Sequence, residues 1–387
     1  MALPKVTIKY LNGLLGTTPE SQDGLLAMVV LNATEVSNTF VAAKPYKIYG
    51  ESSLTALGIT EDNNEHIVEL VRQFYKEAPE GTPLYLATYD ATVQGFFSSY
   101  MKQLVESLKG EIRGIVLSLT ESTEPGDGMA QDIIDAIPLA QQQAEYCAET
   151  LYAPCFVVLE GLGYTSASDL PDMSENEYNR VAIVFGSTSK TGEHAAVGTL
   201  AGRIAAIPIQ RNIGAVLDGA LAPTEMYLGG NLIDNVMDDV RTIHDKGYIV
   251  PRVHIGRAGY FYTDDSLCCD PTDDYAHLTA RRTIDKAARI AYDTLLDYLL
   301  SEIEVNEDGT MQLGVIKSWQ AAVETAIDGQ MTSNGELSAV NGSGCKCVID
   351  ASQNILATSK INVVLKVRPY GYAREIVCEL GFLTNNA

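Results

Sequence analysis

Between residues 60 and 255, short apolar runs alternate with amphipathic stretches, and this alternation most constrains the fold. The stretch after Thr60 places Ile67, Val68, Val71 and Phe74 on one helical face. The apolar runs between such stretches are LYLATYD, IRGIVLSL, CFVVLEG and RVAIVFG. Runs without polar alternation, separated by helices, are typical of a mostly parallel sheet covered on both sides. We therefore predict an α/β core domain over residues 21–264.

The pattern changes after residue 264. An acidic, turn-rich stretch precedes two helical stretches and three strand-like runs, KCVIDA, INVVLKVRPY and EIVCELGFL. This order predicts a small α+β domain over residues 265–387. Residues 1–20 are predicted to form an arm, in which KVTIKY alternates as a half-buried strand does. We expect that strand to pack with the C-terminal domain or with a neighbouring subunit.

Composition excludes several classes of function. The 387 residues carry a formal net charge of −23, so a nucleic-acid partner is not expected. No uncharged apolar stretch reaches the roughly 18 residues of a membrane span, and the first ten residues lack the apolar run of a secretory signal. Seven cysteines are too few and too scattered to predict a disulfide framework, which favours a reducing cytoplasm.

Two glycine-containing loops resemble nucleotide-binding motifs but fail on their details. After Gly186, a P-loop requires Gly at 191 followed by Lys, and the sequence has Thr191 and Gly192. The run EGLGYTS has Ser166 at the position where a dinucleotide fingerprint requires its last Gly or Ala. No helical pattern follows this run. Both segments are better interpreted as turns, and no cofactor is predicted.

No metal or catalytic site is predicted either. The five histidines are scattered and the cysteines lack a C-x-x-C spacing. We interpret His66 and His244 as surface or boundary residues of amphipathic helices. The acidic residues of the 264–274 loop lack the spacing of a calcium site, so a solvated loop is predicted; they are Asp264, Asp265, Asp270, Asp273 and Asp274.

Four basic residues crowd one helical stretch of this acidic chain: Arg281, Arg282, Lys286 and Arg289. Their spacing places most of them along one stripe of a helix. The stripe is either an ordinary solvated face or a docking surface for an acidic partner.

From Asn231 onward the sequence resembles the contractile tail sheath proteins of phages, bacteriocins and related injection systems. The resemblance rests on the order of NLIDNVMDDVRTIHDKGYIV, YAHLTARRTIDKAARIAYDTLLDYL, IKSWQAAVETAIDGQMTSNGEL and INVVLKVRPYGYAREIVCELGF, with AAVGTLAGRIAAI upstream. It covers residues 190–387. The chain departs from the family in lacking large protruding domains and a GG.DG loop.

The resemblance implies a structural protein that is not an enzyme and has no cofactor. Subunits of such sheaths stack as hexameric rings around an inner tail tube protein, meet baseplate and terminator proteins, and contract to drive the tube into a target. Terminal strands pair with neighbouring copies by β-augmentation. The candidates here are Val6, Ile8 and Tyr10 at one end and Ile376, Cys378 and Leu380 at the other. The basic stripe becomes a candidate tube contact.

The same resemblance implies assembly in the bacterial cytoplasm and a final place in a virion tail or injection-system particle, without membrane insertion. Two alternatives stay open. The chain could be a cytoplasmic α/β enzyme with a pocket near Gly163 and Gly186, at the carboxyl ends of the strands. It could also be a related shell or baseplate protein that assembles without contracting.

Overall fold

The structure is a computed structural model that describes residues 22–120, 126–192 and 194–382. The predicted N-terminal strand, with Val6, Ile8 and Tyr10, lies outside the described residues. No helix in the described ranges has the length and apolar character needed to cross a membrane.

The strands and helices are numbered in chain order. The strands are β1 (Leu26–Leu31), β2 (Tyr46–Ile48), β3 (Leu84–Tyr89), β4 (Gly114–Leu119), β5 (Phe156–Glu160), β6 (Glu177–Tyr178), β7 (Val181–Val184), β8 (Tyr227–Leu228), β9 (Asn231–Leu232), β10 (Pro251–Val253), β11 (Tyr260–Tyr262), β12 (Cys268–Cys269), β13 (Cys345–Ile349) and β14 (Val363–Val367). The helices are α1 (Ser52–Leu57), α2 (Glu61–Glu77), α3 (Val93–Gly95), α4 (Met101–Ser107), α5 (Gln131–Glu149), α6 (Val197–Ala206), α7 (Met237–Asp245), α8 (Leu278–Leu296), α9 (Leu313–Ile327) and α10 (Ile355–Thr358).

A central sheet organises the first part of the chain. Within the described residues it has the order β2-β3-β1-β4-β5-β7, and only the edge strand β2 runs antiparallel to its neighbour. Every residue of β1, β4, β5 and β7 is buried, so both faces of the sheet are covered. The predicted mostly parallel, doubly covered sheet is therefore confirmed.

Helices form where the apolar periodicity predicts them. Thr60 and Asn63 form a capping box at the start of α2, and the predicted apolar face of α2 is buried. A π-helical turn over Phe96–Tyr100 joins α3 to α4, so that one interrupted helix spans residues 93–107.

Two glycines allow α6 to lie directly against α2. A Cβ atom at Gly198 would overlap the carbonyl oxygen of Leu70, and one at Gly202 would overlap that of Phe74. Because these obstacles are helix backbone, they cannot rotate away as a side chain can. The close approach of the two helices therefore requires glycine at both positions.

The last part of the chain has its own small cores. In the described part of the chain, α9, β13 and β14 contribute to two hydrophobic clusters separate from the core around the central sheet. The helix α8 spans the junction, because Leu278 belongs to the main core while Ala287 and Ile290 belong to a C-terminal cluster. The position of the C-terminal part relative to the central sheet thus depends on the contacts that α8 makes.

We predict that Gly202→Ala lowers the free energy of unfolding by about 1–3 kcal/mol, the usual effect of overpacking. Urea denaturation followed by circular dichroism measures the change. Gly314→Ala is the matched control, since Gly314 lies in the first turn of α9 with open space around its Cα. The control should leave stability unchanged or raise it by up to about 1 kcal/mol. Equal effects of the two substitutions would contradict this account of the α2–α6 contact.

Candidate functional site

The basic residues of α8 lie inside the protein rather than on its surface. Arg281 and Arg282 are 5% and 4% exposed, and the Lys286 side chain is 13% exposed. They contact residues from the central sheet region and from the C-terminal part. We call this buried layer of charged residues along α8 the seam.

One half of the seam is built on Asp285. Its carboxylate accepts hydrogen bonds from Arg180, which immediately precedes β7, at 3.0 and 3.2 Å. Arg281 lies 3.6 Å from the same carboxylate and donates to the Asn179 carbonyl. Two guanidinium groups, one from the core and one from α8 itself, therefore share one buried anion.

The other half of the seam is built on Lys286. Its ammonium lies 2.6 Å from Asp23, just before β1, and 2.7 Å from Glu336, which follows α9. One cation thus joins the start of the core to the C-terminal part. Burial raises the pKa of Glu336, whereas its hydrogen bond with Lys286 lowers it.

Arg282 and Arg289 are held by backbone carbonyl groups. Arg282 donates to the carbonyls of Ile204 and Ile207, at the C-terminal end of α6, where a cation also meets the favourable end of the helix dipole. Arg289 donates to the Pro154 carbonyl just before β5. Burial lowers the pKa of each guanidinium to about 10, so both stay charged at neutral pH.

These contacts correct the sequence-based interpretation of the basic stripe. Arg281, Arg282, Lys286 and Arg289 form neither a solvated face nor an exposed docking surface. A tube contact requires accessible charge, and these four side chains already bond to other parts of the same chain. Periodicity correctly placed them on one helix, but it could not show what packs against that helix.

The predicted solvated acidic loop is also corrected in part. Asp264 and Asp265 are 7% and 0% exposed, and both accept from Asn212, at 2.6 and 2.8 Å. Arg374, from the end of the chain, donates to Asp264 at 2.6 Å. Burial raises the pKa of Asp264, but hydrogen bonds with Asp265, Arg374 and Asn212 and the nearby His277 hold it well below its usual range. This acidic pair anchors the last segment of the chain.

Beyond that anchor lies the C-terminal arm, defined here as residues 375–382. Each arm residue is exposed, and none belongs to a helix or strand of the described structure. Its large apolar side chains include Ile376 and Leu380, which are 83% and 97% exposed. Cys378 is also exposed. The predicted strand at this position is therefore absent from the single chain.

A two-stranded ladder precedes the arm in the chain. Antiparallel β13 and β14 pair from Cys345 with Val367 to Ile349 with Val363. Among the described residues neither strand has a second strand partner, so each presents an open edge. Val348 and Val364 on its outer face are about half exposed. A ladder of two strands is marginal alone and can accept another strand.

A cavity of about 530 Å³ opens at the carboxyl ends of β5 and β7. Gly163, Gly186, Lys190, Thr191 and His194 contribute to its lining. This is where the enzyme alternative placed a pocket. The loop that follows β7 leads into α6 without the lysine of a P-loop, and a turn rather than a helix follows Glu160.

Beside this cavity lies a polar cluster that the sequence did not predict. Ser118 of β4 donates to Glu160 of β5, and His66 of α2 lies 2.7 Å from the Ser118 hydroxyl. His194 Nδ1 and the Ala195 N–H lie 2.8 and 3.0 Å from the other Glu160 oxygen. His66 is half-buried, which fits a boundary residue, but nothing in the sequence indicated that the fold brings His66 and His194 together.

The cluster does not have the arrangement of a catalytic triad. In a triad the carboxylate orients the histidine that activates the serine, whereas here Glu160 accepts directly from Ser118. Both Ser118 and Glu160 are fully buried. Burial lowers the pKa of His66, an effect that the charge of Glu160 opposes.

Known structures share this architecture along nearly the whole chain. A chain of the anti-feeding prophage (AFP) helical sheath in its contracted state matches with a TM-score of 0.66 and 14% identity, over 98% of this chain and 99% of that one. The PVC sheath complex of an extracellular contractile injection system, also contracted, gives 0.63 and 14%, over 98% of both chains. A sheath tail protein from Desulfitobacterium hafniense gives 0.52 and 9%, over 94% of this chain and all of that one. The fold is therefore that of contractile sheath proteins.

The sequence itself assigns the family. The pattern of the DUF2586 N-terminal domain matches residues 3–266, and that of the DUF2586 C-terminal domain matches residues 274–387. The chain belongs to the DUF2586 family. No curated protein matches its sequence.

We predict that Lys286→Met lowers the free energy of unfolding by about 3 kcal/mol, because it leaves Asp23 and Glu336 without their shared cation. Chemical denaturation measures this loss. Lys102→Met is the control, since Lys102 is largely exposed and 3.9 Å from Glu106, a pair whose removal should change stability by less than about 0.5 kcal/mol. If Lys286 instead lay on a solvated face, its variant would behave like the control.

Proposed function

We propose that this protein is a structural subunit of a contractile sheath, which polymerises through its terminal segments. The observation that carries the proposal is the exposed apolar C-terminal arm, on a chain that also has an open two-stranded ladder and the sheath-protein fold. Solved proteins of similar fold come from sheaths and baseplates of contractile systems.

The exposed apolar side chains of the arm are unfavourable in water, and a partner that buries them would stabilise the arm. Burying a side chain such as Ile376 or Leu380 contributes about 1.5–3 kcal/mol relative to leaving it in water. Its unpaired backbone groups gain hydrogen bonds only when another strand lies alongside. Since the arm pairs with no strand among the described residues, we infer that a second copy supplies that strand.

The β13–β14 ladder is the proposed acceptor. Addition of an arm from a neighbouring subunit would convert a marginal two-stranded ladder into a wider sheet. The N-terminal segment with Val6, Ile8 and Tyr10 is proposed as a second exchanged strand. Arg374, bound to Asp264 and Asp265, fixes the point at which the arm leaves its own subunit.

Strand exchange links subunits while each subunit stays rigid. We propose that such subunits stack as hexameric rings around an inner tube protein, with baseplate and terminator proteins at the ends. Relaxation of a metastable extended assembly would supply the force for contraction. Assembly would take place in the bacterial cytoplasm, before the sheath enters a virion tail or an injection-system particle.

The enzyme alternative is supported by the 530 Å³ cavity alone. The polar groups beside it do not provide an activated nucleophile, because the Ser118 hydroxyl is buried and donates to Glu160. The assembly proposal accounts for more of the molecule, since it uses the arm, the ladder and the seam.

We predict that a chain ending at Arg374 folds with an unchanged melting temperature but forms no tubes in negative-stain electron microscopy. The reason is that the arm residues 375–382 are exposed in their own subunit. Deletion of residues 1–12 should likewise leave a folded chain that forms no tubes. Val377→Pro offers a milder test, because proline removes a backbone donor that an added strand needs.

Leu217→Ser is the matched control, since Leu217 is 86% exposed but lies outside both terminal segments. It should assemble like the unmodified protein. Tubes formed by the chain that ends at Arg374 would refute exchange of the C-terminal arm, and tubes formed without residues 1–12 would refute exchange at the other end.

A further inference from the structure

The cluster of His66, Glu160 and His194 has the composition of a metal site. One ring nitrogen of each histidine and one Glu160 oxygen lie within 4.8 Å of one another. The rings of His66 and His194 are 4.0 Å apart between centroids, so the two imidazoles are direct neighbours. Two imidazoles and a carboxylate are donors that Zn²⁺ and neighbouring divalent transition metals prefer.

Glu160 is a buried carboxylate that lacks a strong cationic partner. Its side chain is fully buried, and among the described residues no lysine or arginine lies within ion-pair distance of it. Burial of a carboxylate is unfavourable unless charge or hydrogen bonds compensate for it. Ser118, His194 and the Ala195 N–H supply the hydrogen bonds, and a divalent ion would supply the positive charge.

The surroundings also resemble those of metal-binding carboxylates. Ser118 and the Ala195 N–H each donate to one oxygen of Glu160 and fix its orientation. Such supporting hydrogen bonds are typical around metal ligands. His194 lines the 530 Å³ cavity, which gives an ion a path from solvent to the buried Glu160.

We propose that His66, Glu160 and His194 bind a divalent transition metal, with Zn²⁺ as the best chemical match. Each ligand comes from a different element: His66 from α2, Glu160 from the end of β5, and His194 from the loop before α6. The ion would therefore tie α2 and the α6 loop to the carboxyl edge of the sheet. Glu160 itself lies below the cavity, whereas His194 belongs to the cavity lining.

A second group of potential ligands, Asp264, Asp265 and His277, provides a useful contrast. There Arg374 and Asn212 already bond to the two carboxylates. A metal ion would have to displace the Arg374 guanidinium, so this group is better explained as the anchor of the arm. His277→Gln is therefore a suitable control for metal binding elsewhere.

The test uses the full chain, stripped of metal with a chelator and then titrated with Co²⁺ and Zn²⁺. We expect one equivalent of Co²⁺ to give a visible absorption band without a thiolate band, and Zn²⁺ to compete for the site and raise the melting temperature. His194→Gln should weaken Co²⁺ binding at least about tenfold, and His66→Gln combined with His194→Gln should abolish it. His277→Gln and His254→Gln should bind like the unmodified chain.

Several results would overturn the proposal. The absence of a Co²⁺ band and of a Zn²⁺-dependent melting shift in the unmodified chain would do so. A thiolate band would place the ion on cysteine instead, and unchanged Co²⁺ affinity in His194→Gln would place it at other ligands. Because the His194 side chain is 30% exposed, its substitution should preserve the fold, which circular dichroism of the stripped protein verifies.

Discussion

The buried charges along α8 hold the two parts of this protein in one fixed arrangement. Asp285 ties α8 to the core through Arg180 and also pairs with Arg281 on its own helix, whereas Lys286 takes carboxylates from both parts of the chain. Buried ion pairs contribute little net stability because each charge must first lose its water. Their directional hydrogen bonds nevertheless favour one relative position of the two parts of the chain. A small displacement from that position would leave a buried charge unpaired, which is unfavourable in free energy. An apolar contact of equal size would tolerate such a displacement more easily.

In the proposed sheath, a fixed arrangement of the two parts would let a force on one part reach the other. The ladder of β13 and β14 lies on the C-terminal side of the seam, and Arg374 is tied to Asp264 and Asp265 near the start of α8. A pull on an exchanged arm would therefore reach the central sheet through α8 and its ion pairs. The close contact of α6 with α2 continues the same path, because Arg282 caps the end of α6. A subunit built in this way would move as one body.

The sequence predicted the core well because its signals are local. Uninterrupted apolar runs became β3, β4, β5 and β7, and the capped amphipathic stretch after Thr60 became α2. The errors concern residues whose partners are distant in sequence. Ser118 is 52 residues from His66, and His194 is 34 residues from Glu160, so no spacing rule could unite them. The charges of α8 were misinterpreted for a related reason, because helical periodicity does not reveal whether a second element covers the polar face.

The strand predicted in the C-terminal arm failed for a different reason, which concerns how strands are stabilised. The run EIVCELGFL is strand-like in composition, yet its described residues, 375–382, form no strand. A helix satisfies its own backbone groups, whereas a strand exists only beside another strand. A strand pattern without a partner in its own chain therefore carries information about a second molecule. The exposure of Ile376 and Leu380 supports the same view, because a chain that functioned alone would gain by folding these side chains against itself.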